Sequence, residues 1–187
     1  MGQIKAIITD FDGTLVNTLM ANLCAYKEAF KSVGIELNNE LYKECYGLRF
    51  DDLCKWVGLK DKELCNQVKE LKKKIYPSYF EYCVLNDKLL NYIRYCKSIG
   101  LKTCIASTAA KTNLYNVLNY FGITGDFDII ISGEDVSHGK PNPEVYNKAL
   151  TLLDCESDEA LVFEDSHVGC KAAEAANISY IKIRNFA

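Results

Sequence analysis

The sequence lacks the features of several large classes of protein. No apolar run approaches the roughly 18 residues that a membrane-spanning helix needs. Positive charge is not in excess, since 22 Lys and Arg residues stand against 25 Asp and Glu residues, whereas nucleic-acid-binding domains are normally basic. The first residues contain neither the long apolar segment nor the small-residue cleavage site of a signal peptide. We therefore expect a cytoplasmic protein with no membrane partner and no nucleic-acid partner.

The nine cysteines include no CxxC pair. Their number is odd and they are scattered along the chain, whereas disulfide frameworks belong to short secreted chains and zinc sites need clustered ligands. Most of them fall among apolar residues. We therefore expect them to be small buried side chains of a protein in a reducing compartment.

The chain has the length and composition of one globular domain with a modest insertion, at 187 residues, 49% hydrophobic and 25% charged. Five short apolar runs alternate with helical patterns, and they begin at Ile4, Lys102, Asp128, Ala160 and Ser179. Runs of this kind indicate parallel strands that are buried on both faces. The pattern predicts an α/β fold with a parallel sheet of about five strands.

The segment between the first two runs is too long for a single crossover helix. Its pattern is helical throughout, which predicts an all-helical insertion over residues 17–83. Residues 1–16 and 84–187 would then form the α/β core. Four lysines of the insertion are expected to lie on a solvated helix face: Lys69, Lys72, Lys73 and Lys74.

Polar residues follow four of the predicted strands at their carboxyl ends. They are Asp10, Asp12, Gly13 and Thr14 after the first strand, Ser107 and Thr108 after the second, Lys140 in the loop after the third, and Glu164 and Asp165 after the fourth. Ligands of open α/β sheets bind beyond the carboxyl ends of the strands. Four such clusters at one edge of a sheet therefore predict a site.

Charge indicates what this site could do. The four carboxylates after the first and fourth strands would repel one another, and Mg²⁺ is the natural cation to relieve that repulsion. Lys140 and Ser107 add a positive charge and a hydroxyl donor, which together describe a site for a dianion such as phosphate. A free carboxylate beside it can attack phosphorus and form an acyl phosphate. The next carboxylate, two residues further on, is placed to protonate the leaving oxygen and later to activate water.

These motifs resemble those of the haloacid dehalogenase-like superfamily, in the small helical-cap subgroup that contains phosphoglycolate phosphatase and β-phosphoglucomutase. Asp10-Phe11-Asp12-Gly13-Thr14-Leu15 looks like the first motif of that family, Ser107 the second, Lys140 the third and Glu164-Asp165 the fourth. The resemblance extends over nearly the whole chain. It implies a Rossmann-like catalytic core with an inserted helical cap that acts as a lid.

The resemblance also implies which residues carry the chemistry. Asp10 is the expected nucleophile and a Mg²⁺ ligand. Asp12 is the expected general acid and base, with its backbone carbonyl on the metal. Asp165 is expected to bind the metal directly, and Glu164 is expected to be either a ligand or a partner of the ligands.

Other residues are expected to hold the substrate. Lys140 and Ser107 look like the phosphate holders, and three neighbours are further candidates: Gly13, Thr14 and Thr108. In the helical insertion, Gly47 could allow close approach to the site. Arg49 could reach a carboxylate or a second phosphate of the substrate, although pairing with Asp51 or Asp52 on the surface is equally open.

The leading interpretation is a Mg²⁺-dependent phosphatase for a small phosphorylated metabolite, working through an aspartyl-phosphate as a monomer or weak dimer. A phosphosugar mutase is the second candidate. Two departures disfavour it, because Leu19-Met20-Ala21-Asn22 lacks the cap histidine of that subgroup and Phe50 stands where its arginine would be. The chain could also be a receiver-type signalling domain, which likewise uses an aspartate, Mg²⁺ and a lysine, or a phosphate-binding protein without turnover.

Overall fold

The computed structural model describes residues 3–46 and 48–184 of the chain. The strands there are β1 (Ala6–Thr9), β2 (Val16–Asn17), β3 (Val84–Leu85), β4 (Lys102–Ala106), β5 (Ile129–Ile131), β6 (Ala160–Glu164) and β7 (Ser179–Lys182). The α-helices are α1 (Leu19–Lys31), α2 (Asn39–Cys45), α3 (Phe50–Trp56), α4 (Lys62–Ile75), α5 (Asp87–Ser98), α6 (Lys111–Tyr120), α7 (Glu144–Leu153) and α8 (His167–Ala175). Short 3₁₀ segments lie at Tyr76–Tyr82, Thr124–Asp126, Gly133–Asp135 and Ser157–Glu159.

The main sheet has the strand order β5-β4-β1-β6-β7, and its strands are all parallel. Its five members are the five predicted strands, so this prediction is confirmed. Numbered along the chain, they run 3-2-1-4-5 across the sheet, whereas receiver-type domains have the order 2-1-3-4-5. The receiver interpretation is therefore wrong. The strand order reverses between β1 and β6, and open sheets bind their ligands at such a point.

The chain divides into two compact units, which we call the core unit and the helical unit. The core unit contains the described residues up to Asn17 and those from Leu85 onward, and the helical unit is Thr18–Val84. The boundaries predicted from the sequence, after residues 16 and 83, lie one residue from these divisions. In the described part of the chain, no helix combines the length and the apolar character needed to span a membrane.

The core unit is built on buried apolar strands. Every residue of β1 is buried, and Ile8 in it belongs to an apolar cluster with Tyr146 and Ala149 of α7 and Ala172 of α8. Each large apolar side chain that is fully buried contributes about 1.5–3 kcal/mol to stability. Strands covered by helices in this way are held firmly, which gives the residues at their ends defined positions.

The helical unit has its own apolar core, and Lys72 lies inside it. Val68 and Lys72 are one turn apart on α4 and are both buried, with Lys72 only 3% exposed. Its Nζ lies 3.5 Å from the centre of the Tyr76 ring and 5.0 Å from that of Tyr26, within the range of cation–π attraction. The prediction that this lysine is solvated is therefore wrong, because the aromatic faces stabilise its charge inside the unit.

The described cysteines are all free thiols. Six of the nine are buried and three are half-buried, so burial of most of them is confirmed. Burial raises the pKa of Cys104, which is fully enclosed in the sheet, above the range of ordinary thiols. Such a thiol behaves as a small apolar side chain.

Candidate active site

The carboxyl ends of β1 and β6 carry the acidic residues of the predicted site. The two strands pair in parallel with Thr9 opposite Phe163. The ladder continues one step further, because the Asp10 N–H donates to the Phe163 carbonyl at 2.9 Å. Asp10 therefore lies beside Glu164, the last residue of β6, and Asp165 follows directly. The acidic residues thus lie where the strand order reverses.

Lys140 joins these two strand ends. Its Nζ donates to Asp10 Oδ1 and to Glu164 Oε1, both at 2.6 Å, and to the Ala106 carbonyl at the end of β4, at 3.0 Å. An ammonium group has three N–H donors, and these three acceptors use all of them. The Lys140 side chain is only 4% exposed. A charge buried this deeply is stable only with such partners.

The buried charges control protonation at the site. Burial tends to lower the pKa of Lys140, but the neighbouring Asp10, Tyr146 and Glu164 outweigh it and raise this pKa well above its usual value. Burial raises the pKa of Asp10 well above its usual value, since the attraction of Lys140 is opposed by the charges of Glu164 and Asp165. Burial also acts to raise the pKa of Glu164, yet the charge of Lys140 holds it below the usual range. Of the two carboxyl groups that contact Lys140, Glu164 is therefore more readily ionised than Asp10 in the absence of a cation.

Glu164 is fully buried and accepts hydrogen bonds on both carboxylate oxygens. Oε1 accepts from Lys140 and, at 2.9 Å, from the Tyr146 hydroxyl. Oε2 accepts from the backbone N–H of Ser166 at 3.1 Å and from its hydroxyl at 3.0 Å. A carboxylate offers about four lone-pair positions, and these four donors occupy them. In this arrangement Glu164 orients Lys140 through their hydrogen bond.

Tyr146 is a site residue that the sequence analysis missed. Its ring is fully buried and its centre lies 5.0 Å from Lys140 Nζ, so the tyrosine contacts Lys140 and Glu164 together. In the sequence it belongs to the apolar stripe of α7 and is indistinguishable from a core residue. The available signal was the hydroxyl, which needs a partner when a tyrosine is buried.

Two glycines leave room for the carboxylates. Gly13 has φ +91°, a conformation that favours glycine, and a Cβ there would overlap Asp165 Oδ2. Gly169 lies in the first turn of α8, where a Cβ would overlap Glu164 Oε1. The Gly169 N–H donates to the hydroxyl of Ser166 at 3.0 Å, so Ser166 caps the N-terminus of α8.

The other predicted residues of the core unit lie around the same strand ends. Thr14 is fully buried and its hydroxyl donates to Asp165 Oδ1 at 2.9 Å. Asp12 is half-buried, and its backbone bridges to Val16. Ser107 follows β4, is 1% exposed, and accepts the Ala109 N–H on its hydroxyl oxygen at 3.0 Å.

Thr108 is half-buried, and its carbonyl lies where a Cβ on Gly133 would be. The Gly133 N–H donates to the Ala109 carbonyl at 2.8 Å. The absence of a side chain at Gly133 therefore lets the loop after β5 pack against the loop that carries Ser107 and Thr108. Direct hydrogen bonds join Asp10, Lys140 and Glu164 in one set and Thr14 with Asp165 in another.

The two residues of the insertion that are predicted to bind substrate are Gly47 and Arg49. Gly47 lies outside the described residues. Arg49 is half-buried and directly precedes α3, and its carbonyl accepts the N–H groups of Asp52 and Leu53 at 3.0 Å. Asp52 forms an ion pair with Lys55 at 2.9 Å. The proposed contact of Arg49 with substrate stays a prediction.

The acidic cluster has the donor set for a divalent cation. Asp10, Glu164 and Asp165 each offer a carboxylate oxygen within 4.8 Å of the others. With all three ionised, Lys140 offsets one of three negative charges and leaves a net charge of −2 (1 − 3). Carboxylate oxygens are hard ligands that suit Mg²⁺. The donors therefore fit this ion, and the filled lone pairs of Glu164 favour Asp10 and Asp165 as its ligands.

The chain matches the model of a protein family described as haloacid dehalogenase-like hydrolase over residues 7–183. It is 27% identical over 184 residues to the phosphorylated carbohydrates phosphatase of Thermotoga maritima, an alignment that covers 95% of this chain and 84% of that protein. It is 29% identical over 174 residues to the pyrophosphatase PpaX of Bacillus cereus, covering 88% of this chain and 76% of the relative.

A solved structure agrees with these matches. CbbY of Rhodobacter sphaeroides, in complex with phosphate, has a TM-score of 0.88 to this chain at 25% identity, covering 98% of this chain and 88% of CbbY. The family match includes the ends of β1, β4 and β6 and the loop that carries Lys140. The similarity therefore extends over every segment that builds the acidic cluster.

Proposed function

We propose that this chain, which belongs to the haloacid dehalogenase-like hydrolase family, is a Mg²⁺-dependent phosphatase that hydrolyses a small phosphomonoester. The observation that carries the proposal is the buried network in which Lys140 lies between Asp10 and Glu164, 2.6 Å from each. A buried lysine beside an aspartate at the end of a central strand suits an anionic substrate and a carboxylate nucleophile.

The metal would be held by the carboxylates of Asp10 and Asp165 and the backbone carbonyl of Asp12. Thr14 steadies Asp165 through its hydrogen bond of 2.9 Å, and such partners of metal ligands fix their orientation. When bound, Mg²⁺ supplies positive charge that offsets the carboxylates and the phosphoryl oxygens. Its charge would also favour the ionised form of Asp10, which burial disfavours.

The residues of the chain divide the reaction between them. The Asp10 carboxylate attacks phosphorus, the bond from phosphorus to the leaving oxygen breaks, and Asp12 donates a proton to that oxygen. Asp12 then removes a proton from water, which attacks the acyl phosphate, releases phosphate and restores Asp10. The Ser107 hydroxyl would donate to a phosphoryl oxygen, and the buried positive charge of Lys140 would stabilise the negative charge that develops there in the transition state.

A phosphorylated sugar is the substrate class we favour, because one relative is named for phosphorylated carbohydrates. The test is phosphate release, with Mg²⁺, from a panel of sugar phosphates, phosphoglycolate, nucleotides and pyrophosphate. We expect release from at least one sugar phosphate, loss of release with a chelator, and recovery with added Mg²⁺. Isomerisation of a sugar phosphate without release would indicate a mutase instead, and binding without either reaction would indicate a protein without turnover.

Gly13→Ala is expected to weaken Mg²⁺ binding. The new Cβ overlaps Asp165 Oδ2, so this carboxylate must shift from its native position, and disturbing the support of a metal ligand costs about 10–100-fold in affinity. Isothermal titration with Mg²⁺ measures the change. Gly100→Ala is the matched control, since Gly100 has φ +94° with open space around it. Equal Mg²⁺ affinity in both variants would contradict the metal site.

Tyr146→Phe is expected to lower the free energy of unfolding by about 1.5–3 kcal/mol, because it removes a buried hydrogen bond to a charged acceptor. Urea denaturation provides the measurement. Tyr180→Phe is the control, since the Tyr180 hydroxyl donates to Glu174 at 2.7 Å on the exposed surface. If both substitutions cost the same, the Tyr146 hydroxyl does not hold Glu164 in place.

A further inference from the structure

Two cysteines of the helical unit lie on successive helices, at the same apolar core. Cys54 lies near the end of α3, and Cys65 lies in the first turn of α4. Cys54 belongs to the buried apolar core of this unit, and Cys65 packs against the same core. The short connection between the helices therefore brings two free thiols to one core as neighbours, and the Cys65 thiol affects the ionisation of Cys54.

Leu59 forms hydrogen bonds with both cysteines. Its N–H donates to the Cys54 carbonyl at 2.8 Å, and its own carbonyl accepts the Cys65 thiol at 3.6 Å. Leu59 is 8% exposed and belongs to the apolar core of the unit with Cys54 and Val68. Since the backbone between the two cysteines is anchored at its middle, their approach is a built feature of the turn.

The two thiols differ in access to solvent. Cys54 is 3% exposed, whereas Cys65 is half-buried. Burial and the contact with Cys65 raise the pKa of Cys54 to about 12, so this thiol is a poor first nucleophile at neutral pH. Cys65 is the one that a reagent in solution can reach.

From this arrangement we propose that Cys54 and Cys65 are a redox-modification site, which a low-molecular-weight disulfide such as oxidised glutathione converts into an intramolecular disulfide. Cys65 loses its proton and attacks one sulfur of the reagent, whose S–S bond breaks and releases one thiolate. The Cys54 sulfur then attacks Cys65 Sγ, the mixed disulfide breaks, and a second reagent thiol leaves. Two protein thiols are oxidised and one reagent disulfide is reduced to two thiols, so atoms and electrons balance.

Peptide mapping of the whole chain tests the proposal. Trypsin cleaves after Arg49, Lys55, Lys62 and Lys69, which places Cys54 in residues 50–55 and Cys65 in residues 63–69. Reduced protein is incubated with oxidised glutathione, the remaining thiols are alkylated, and the digest is analysed by mass spectrometry. We expect these two peptides to be joined, two fewer alkylated cysteines per chain, and reversal by a thiol reductant.

Variants separate the two steps. Cys54→Ser should keep glutathione on Cys65, because the resolving thiol is missing. Cys65→Ser should abolish the reaction at Cys54, and Cys24→Ser, which changes another half-buried thiol of the same unit, should leave the joined peptides unchanged. The proposal is overturned if wild-type protein retains two alkylated thiols at these positions, keeps glutathione on Cys65, or forms its disulfide elsewhere, for example between Cys104 and Cys155. The wild-type map decides the matter even if a variant does not fold.

Discussion

Asp10→Asn is expected to lower kcat by ~10⁴-fold or more, which is the scale of losing a nucleophile that acts with its neighbours as a unit. The amide has nearly the shape of the carboxylate but cannot form an acyl phosphate. Its oxygen can still accept the hydrogen bond from Lys140, which is 2.6 Å long in the native protein. The fold should therefore persist, and phosphate release on the best substrate of the panel measures the loss.

Stability of the same variant gives an independent check. Burial raises the pKa of Asp10, so in the absence of metal its ionised form costs stability and a neutral amide should melt at the same temperature or higher. Asp126→Asn is the control, because it makes the same chemical change at the partly exposed ion pair of Asp126 with Arg94 and should leave kcat unchanged. A kcat within tenfold of wild type for Asp10→Asn would remove this residue from the role of nucleophile.

The sheet and the positions of the acidic residues could be predicted because local patterns carry them. Strands buried on both faces read as apolar runs, and the polar residues that follow, such as Asp10 and Glu164, mark where each run ends. Parallel pairing then brings the ends of β1 and β6 together. Thus local patterns and one rule of topology predicted where the candidate site lies.

The contacts that organise the site could not be predicted in the same way. Tyr146 and Glu164 are 18 residues apart and meet only because α7 packs on the sheet. Gly169 is needed for the space it leaves to Glu164, and a spacing in sequence does not reveal empty space. The choice between a metal ligand and a partner of Lys140 for Glu164 also depended on the number of hydrogen bonds that its carboxylate accepts in the structure.

Lys72 shows a different limit of sequence reasoning. A run of lysines on a helix is typical of a solvated face, yet position 72 lies one turn after the buried Val68. The deciding partners are the rings of Tyr26 and Tyr76, and Tyr26 belongs to α1, which is distant from Lys72 in sequence. Helical periodicity places position 72 on the same face as Val68, whereas a lysine, judged by residue type alone, is expected in solvent.

Lys140→Met is expected to impair both the reaction and the fold. Methionine keeps the unbranched stem but removes the charge, so a phosphoryl group loses a buried cation, at a cost of about 10²–10³ in kcat. Asp10 and Glu164 also lose the partner that each contacts at 2.6 Å. Removing one member of a buried ion pair costs about 3–5 kcal/mol of the free energy of unfolding, which urea denaturation at about pH 7 with a chelator measures.

The loss of stability should grow from acid to neutral pH. In wild-type protein the pKa of Glu164 is lowered, so its contribution is present above the unfolded value of about 4.3 and is lost as pH falls through the folded pKa. Without Lys140, burial raises the pKa of Glu164 above its unfolded value, and it raises the pKa of Asp10 further. The folded variant then binds more protons than the unfolded chain, so its stability falls as pH rises. The gap in free energy of unfolding between variant and wild type is therefore small near about pH 4 and largest near about pH 7.

Lys97→Met is the control, because it breaks a partly exposed pair with Asp128 at 2.9 Å and should lower the free energy of unfolding by no more than about 1 kcal/mol. A gap that is equal at both pH values would mean that Lys140 stabilises the core unit by packing and not by its charge.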